Sequence, residues 1–535
     1  MVFVLYYIIV LFFYIFYHEL WVKYKNMLCK VASMGFFGLN AYEVLVEVDV
    51  SVGMPTFELV GLADTAVKES KERVKTSLKN CGYDFKTGRV IINLAPADIK
   101  KVGPLYDLPI LLGILVASGQ ITADLSNCCF IGELSLGGEV RRCFGVLPMV
   151  IEAKKLGFER IFVPFSNLKE ASVVDGIKTY GVKNITDIIE FLKGDESKLE
   201  KGDFKNFNFS YDSFDVDFSE VKGQYIAKRA LEIAAAGGHN LLLIGPPGAG
   251  KSMLAKRFAT ILPKLTFKEA IEITNIHSIA GKVTPENPLI SIRPFRAPHH
   301  SISTAGLSGG GNNIHPGEIS MAHNGVLFLD ELPEFKRDVK ELLRQPMEDG
   351  KITLTRAAMS VTYPCSCLVI AAMNPCPCGY FGHPTRKCSC SESKVQKYLS
   401  KVSGPLLDRL DIHVDVEPVE FESLSEIANE ESSENIRQRV EKAREIQKKR
   451  YENLNFSCNS KLTPAKIKKF CQMNGSAKKL LEEVFKKFGM SARAYDKILK
   501  ISRTIADLEG EETINDRHVA EAVQYRTMDR KYWKV

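Results

Sequence analysis

The chain has 535 residues, 45% hydrophobic and 25% charged, with 71 Lys+Arg against 64 Asp+Glu. This is the balance of a globular protein with packed cores, and it excludes a collagen-like or largely disordered chain; at roughly 100 to 200 residues per domain, about three domains are expected. The formal net charge of +7 is uneven, because the excess of Lys and Arg falls after Ile436, which suits either a nucleic-acid contact or a solvated helical surface.

In chain order, residues 1–17 (MVFVLYYIIVLFFYIFY) carry no charged side chain. Such a run just spans a bilayer, with Lys23, Lys25 and Lys30 holding the next segment on the cytoplasmic side. The alternative is that translation starts at Met27 and residues 1–26 are an extension that is not made. A secretory signal is not expected, since a positive n-region and a small-residue cleavage site are both missing.

Residues 27–192 are expected to form a mixed α and β domain. VLVEVDVSVG, starting at Val44, alternates as a half-buried strand does, and Pro55 marks a turn. Helical spacing follows over residues 66–78, then a strand at VIINLAP (90–96) and a buried helix at LPILLGILVASG (108–119) ending in glycine. Residues 193–221 are acidic with scattered aromatics and no sustained period, which reads as a linker that packs through its Phe residues. Residues 222–420 alternate apolar strands with helices, as parallel α/β folds do. Residues 421–535 read as helical and charged.

The strongest signal is NLLLIGPPGAGKSMLAKRFA, an apolar strand running through Gly245, Pro246, Pro247, Gly248, Ala249, Gly250, Lys251 and Ser252 into a helical pattern. This is a P-loop in its required context: backbone N–H groups surround phosphate oxygens at a helix N-terminus, Lys251 reaches the β/γ-phosphates and Ser252 the Mg²⁺ of bound ATP. A second apolar run, GVLFLDE, ends in Asp330 and Glu331. Asp330 is placed to hold Mg²⁺ and Glu331 to deprotonate the attacking water, a pair that argues for hydrolysis. A third run, CLVIAAMN, ends in Asn374, whose amide is placed to position that water.

These three motifs in order, with GPLLDRLDIHVDV and SARAYDKILKISRTIADLEG following and with FRAPHHSIS, PGEISMAHNGVLFLDELPEF and NPCPCG between, resemble the magnesium-chelatase-like AAA+ ATPases and, among them, the ComM/YifB family. The resemblance implies an α/β fold: an AAA+ P-loop core with a parallel sheet, an N-terminal Lon-protease-like α+β domain and a C-terminal helical lid. It implies that Asn374 is sensor 1, that Arg409 is an arginine finger offered to a neighbouring subunit and that Arg493 is sensor 2 on the lid. A homo-hexameric ring follows, because a finger supplied in trans makes hydrolysis depend on assembly. The implied function is an ATP-driven motor on single-stranded or branched DNA, promoting branch migration in recombination of transforming DNA, in the cytoplasm. The alternatives are a magnesium chelatase-type ATPase subunit and a protein-remodelling ATPase that uses no nucleic acid. Residues 291–313, with His299 and His300, and the hairpin-like KITLTRAAMSVTYP, with Arg356, are candidate substrate grips facing the pore of the ring.

The Lon-like resemblance carries no protease dyad. Leu105 stands where the serine nucleophile would be and Leu147 near the place of its lysine base, so a scaffold is expected.

Thirteen cysteines include six between Cys365 and Cys390. Cys376, Cys378, Cys388 and Cys390 form two Cys-x-Cys pairs that suit either tetrahedral Zn²⁺ or reduced structural thiols, with Cys365, Cys367 and His383 as reserve ligands.

Overall fold

The computed structural model describes residues 28–533 apart from 52, 86–87, 205–213, 312–313, 357–358, 419–429 and 455. The apolar run of residues 1–17 lies outside them, and no helix among the described residues is long and apolar enough to cross a membrane. The chain divides into two compact units, Met1–Phe209 with Thr274–Ile290, and Ser210–Ile273 with Ser291–Val535.

In the first unit, β1 (Leu28–Phe37) and β2 (Asn40–Ser51) form an antiparallel hairpin in which Leu28 faces Asp49 and Phe37 faces Asn40. The sheet continues through β3 (Thr56–Val60), β4 (Arg89–Ala95), β5 (Cys128–Phe130), β6 (Arg160–Pro164), β7 (Lys178–Val182) and β8 (Glu200–Lys201), in the order β8-β7-β6-β5-β1-β2-β4-β3. Phe130, Phe162 and Tyr180 are register partners on β5, β6 and β7, and their rings stack with centroids 4.8 and 5.3 Å apart. Such cross-strand aromatic pairs tie neighbouring strands beyond simple area burial.

The helix α2 (Asp107–Ala117) packs on β1 and β2 near the centre of this sheet, and α1 (Ser70–Asn80) packs on α2. The α2 helix is apolar all round and almost wholly buried, as a helix enclosed on every side must be. Asp107 at its start is fully buried, yet it is held by Arg73 Nε at 2.6 Å, Arg73 Nη2 at 3.0 Å and the backbone N–H of Leu134 at 3.1 Å. Leu105 and Leu147, at the positions of the absent dyad, are both buried.

In the second unit, five parallel strands run in the order β10-β11-β14-β9-β15: β9 (Leu241–Ile244), β10 (Phe295–Arg296), β11 (Val326–Leu329), β14 (Leu368–Met373) and β15 (Ile412–Asp415). Between β11 and β14, β12 (Lys351–Arg356) and β13 (Met359–Pro364) form a separate antiparallel hairpin. The expected hairpin is therefore present, while the Arg356 side chain lies outside what is described. Helices α3 (Tyr225–Gly237) and α4 (Lys251–Phe258) flank the sheet. Beyond residue 430 the described chain has no strand; α5 (Ser433–Arg450), α6 (Gly475–Phe488), α7 (Ala492–Glu509) and α8 (Asp516–Trp533) are its principal elements. Ile436 and Val440 of α5 and Ile498, Ile501 and Ile505 of α7 share a core with Leu241 and Leu243 of β9. The segment read as a linker supplies Phe218, fully buried in this core; its N–H donates to Ser433 Oγ at 2.8 Å.

The Arg73–Asp107 pair gives a test of the first unit. Breaking a buried pair leaves one charge uncompensated, so Arg73→Ala is expected to lower stability by about 3 kcal/mol. Urea denaturation, with hydrogen exchange of the α1 and α2 amides, checks it; a loss below about 1 kcal/mol would mean the pair is only a surface contact.

Candidate nucleotide-binding site

The site is built at the C-terminal ends of β9, β11 and β14. Ile244 pairs with Met373 and Leu329 with Ala371, so the residues that follow these strands, Gly245, Asp330 and Asn374, emerge at one edge of the sheet. Ligands of open parallel sheets bind at this edge. The strands are buried along almost their whole length, and their polar side chains begin only where the strands end.

Gly245 is required by packing, since a Cβ there would meet the carbonyl oxygen of Val416 at 2.2 Å. Gly248 and Gly250 take φ values of 79° and 87°, the left-handed region that favours glycine. The chain then enters α4 with Lys251 as its first residue.

Lys251 is buried, and its Nζ donates to the carbonyl oxygens of Gly245 and Pro246, both at 2.8 Å, and to Asn374 Oδ1 at 3.1 Å. Burial lowers its ammonium to about 8, against the opposing pull of Asp330 and Glu331. Ser252 Oγ donates to Asp330 Oδ2 at 2.7 Å. A hydroxyl and a carboxylate converging in this way form a hard-oxygen donor pair that fits Mg²⁺. Glu331 is exposed and left-handed, with φ 52°, and its Oε2 lies 3.1 Å from His300 Nδ1. His300, read from sequence as part of a substrate grip, thus meets the expected catalytic carboxylate, and its ring stands edge-on to Phe335 at 6.4 Å. His300 lies 31 positions before Glu331, and only the fold reveals the contact.

A cavity of about 430 Å³ lies beside the P-loop, lined by Pro246, Pro247, Gly248 and Gly250 on one side and by Tyr380, His383 and Arg386 on another. Sequence reasoning did not assign these last three to the nucleotide. A larger cavity, about 640 Å³, lies elsewhere in the second unit and is lined by Arg409 among other cations. Of the two, the smaller is the one that the P-loop residues line.

The structure brings Lys251, Ser252, Asp330 and Asn374 together and leaves the two arginines apart. Arg409 Nη1 donates to the Pro405 carbonyl at 2.5 Å and its Nη2 pairs with Glu348. Arg493 is 76% exposed and pairs with Asp408 at 3.4 Å. Neither is among the described residues that line the cavity beside the P-loop.

Cys376, Cys378, Cys388 and Cys390 place their sulfurs within 4.8 Å of one another. Three sulfur pairs are 3.3, 3.5 and 3.7 Å apart, too far for a disulfide. The backbone N–H of Tyr380, ahead of that of Ser389, lowers the Cys378 thiol to about 5, whereas burial raises Cys376 to about 12. Of the reserve ligands, Cys365 and Cys367 are not in the cluster, and His383 Nδ1 accepts from the N–H groups of Thr385 and Arg386.

Three family models match the chain. Residues 217–424 match magnesium chelatase, subunit ChlI; residues 46–167 match subunit ChlI of Mg-chelatase; residues 430–526 match the ChlI C-terminal region. Competence protein ComM of Haemophilus influenzae is 42% identical over 519 residues, covering 95% of this chain and 99% of that protein. YifB of Escherichia coli is 42% identical over 503 residues, covering 94% and 97%. A shorter match, 38% identical over 96 residues, joins 18% of this chain to 21% of the DNA repair protein RadA of Bacillus subtilis. With the strand-end motifs in place and 42% identity over nearly the full length of these relatives, the chain belongs to the ComM/YifB family of magnesium-chelatase-like AAA+ proteins.

Proposed function

We propose that this chain hydrolyses ATP and uses the energy, as a homo-hexameric ring, to move DNA. The observation that carries the ATPase reading is the convergence of Lys251, the Ser252–Asp330 pair and Asn374 at one end of adjacent parallel strands. In this reading Lys251 leaves its three internal oxygen partners for the β/γ-phosphates, and Asn374 orients the attacking water. Glu331 takes the proton from that water as its oxygen bonds to the γ-phosphorus, and the β–γ bridging oxygen leaves with ADP. Mg²⁺ held through Ser252 and Asp330 would neutralise charge on the phosphate oxygens. Zn²⁺ at the four clustered thiols is part of the same proposal.

Support for DNA comes from the competence protein among the relatives and from the basic segment after Ile436. The arrangement of the first unit fits a non-proteolytic Lon-like domain, and the helices after residue 430 fit a lid carrying sensor 2. The domain limits read from sequence, at 192, 221 and 420, belong to the same proposal. Arg409 lies away from the P-loop cavity, at Glu348, as a finger offered to a neighbour would, and Arg493 of the helical segment, the sensor 2 of this reading, lies at Asp408. The chelatase description of the family models favours a second reading, a chelatase-type subunit; that reading requires partner subunits for activity and no response to DNA.

Hydrolysis measured with and without single-stranded and branched DNA at two salt concentrations separates the readings. Stimulation by DNA that falls with salt is expected, and turnover indifferent to every DNA sinks the motor reading. Glu331→Gln is expected to retain nucleotide binding and lose at least about 100-fold in turnover.

The lowered ammonium of Lys251 sets a pH dependence. Protonated lysine binds the phosphates, so affinity is expected to hold below about 8 and to weaken as pH rises through that value, by up to about tenfold per unit. In Lys251→Ala affinity should be low and flat over this range; a wild-type profile just as flat removes the lysine from phosphate binding.

Arg409→Ala is expected to bind nucleotide as wild type does and to lose about 10³-fold in turnover. Mixing it with Lys251→Ala should restore activity, because a P-loop from one variant then faces an intact arginine from the other. No recovery in mixed assemblies would place Arg409 outside the active site.

A further inference from the structure

The loop that follows Asn374 holds the four clustered cysteines and forms no helix or strand before Glu392. Between Pro377 and Ser391 only Gly379 is buried, so the loop has almost no apolar surface with which to hold its shape. A loop of this kind needs a cross-link, and a cation bound by thiolates supplies one. The three sulfur separations of 3.3 to 3.7 Å approach the spacing of about 3.8 Å that tetrahedral zinc–thiolate bonds impose.

The same loop lies on the P-loop. Gly379 has φ 85°, and a Cβ at that position would meet Pro247 Cδ at 2.3 Å. Only a glycine lets the loop approach the Pro247 ring so closely. Beyond this contact, Tyr380, His383 and Arg386 form a wall of the cavity that Pro246 to Gly250 close from the other side. Their side chains hold one another: Arg386 Nη1 donates to Tyr380 Oη at 2.9 Å, its guanidinium carbon lies 5.3 Å from the centroid of that ring, and the Tyr380 and His383 rings meet edge-on at 5.6 Å. A fixed positive charge on an aromatic platform, facing a phosphate-binding loop, suits an anionic ligand that carries a planar base.

We infer that a zinc-class cation held by Cys376, Cys378, Cys388 and Cys390 orders this loop as one wall of the nucleotide cavity, and that Arg386 on that wall contacts bound nucleotide, so nucleotide affinity depends on metal occupancy. The inference rests on the proposed nucleotide site and the proposed zinc, and it adds a contact residue and the dependence of nucleotide binding on the metal.

The test uses the full chain purified without chelator. Elemental analysis is expected to find about one zinc per chain, and replacement by Co²⁺ should give the charge-transfer absorption of a cobalt–thiolate centre. Cys378→Ser combined with Cys388→Ser should lose both signals. Binding of a fluorescent ATP analogue is expected to weaken about tenfold when the metal is stripped from wild type, and to recover when Zn²⁺ is returned. Arg386→Ala should keep its metal and bind the analogue about fivefold more weakly. This variant and stripped wild type keep the test open if the double cysteine variant does not fold.

A wild-type chain with no stoichiometric metal and no cobalt spectrum overturns the metal site. Metal present with affinity unchanged in both stripped protein and Arg386→Ala overturns the coupling. Metal present with no nucleotide binding by wild type overturns the nucleotide reading and the coupling together, while the metal count stands by itself.

Discussion

The site depends on the register of four neighbouring parallel strands. β9 lies between β14 and β15, and β11 pairs with β14 on its other side. Apart from His413 and Asp415 of β15, the strand residues are hydrophobic on both faces, as in strands covered by helices. A one-residue slip would turn Asn374 or Asp330 toward a core that offers no partner for an amide or a carboxylate, so burial fixes the register. The level at which the polar residues emerge is thus set by apolar packing well away from any phosphate.

In this structure the polar groups satisfy one another. Lys251 is held by two carbonyls and Asn374, Ser252 by Asp330, Glu331 by His300 and Arg409 by Glu348. A nucleotide must therefore exchange existing bonds for new ones, and its net affinity is the difference between two sets of charge-assisted contacts. That Glu331 sits in the left-handed region beside this network agrees with strain gathering at functional positions.

What could be read in the sequence follows from how local each signal is. The P-loop occupies eight consecutive residues between a strand and a helix, so its context is visible in a short window, and the strand-end residues Asp330 and Asn374 are marked by the apolar runs before them. The resemblance reached the family from these segments. β1 escaped because its run, LCKVASMGFF, breaks alternation with small residues, and its burial is imposed by β2 and β5 from outside the window. Phe218 looked like part of a linker because no periodic pattern surrounds it, and the core that buries it is completed by later strands and helices, with Ser433 accepting its N–H from 215 positions away. Tyr380, His383 and Arg386 carry no motif of their own; they reach the cavity because Gly379 brings the loop onto Pro247.

The balance of charge at the P-loop bears on what the site needs. One buried ammonium, Lys251, faces two carboxylates, Asp330 and Glu331. Added to a triphosphate, this set carries a large negative excess in a partly desolvated place, where unpaired charge is costly. In the proposed reading the missing positive charge comes from a divalent cation at Ser252 and Asp330 and from guanidinium groups. Arg386 faces this cavity from the same chain, whereas Arg409 and Arg493 are held at Glu348 and Asp408. In the proposed reading, binding and hydrolysis therefore draw on different sources. A single chain with its metal loop in place can hold the nucleotide, and the charge of the arginine finger arrives only when another copy presents its Arg409.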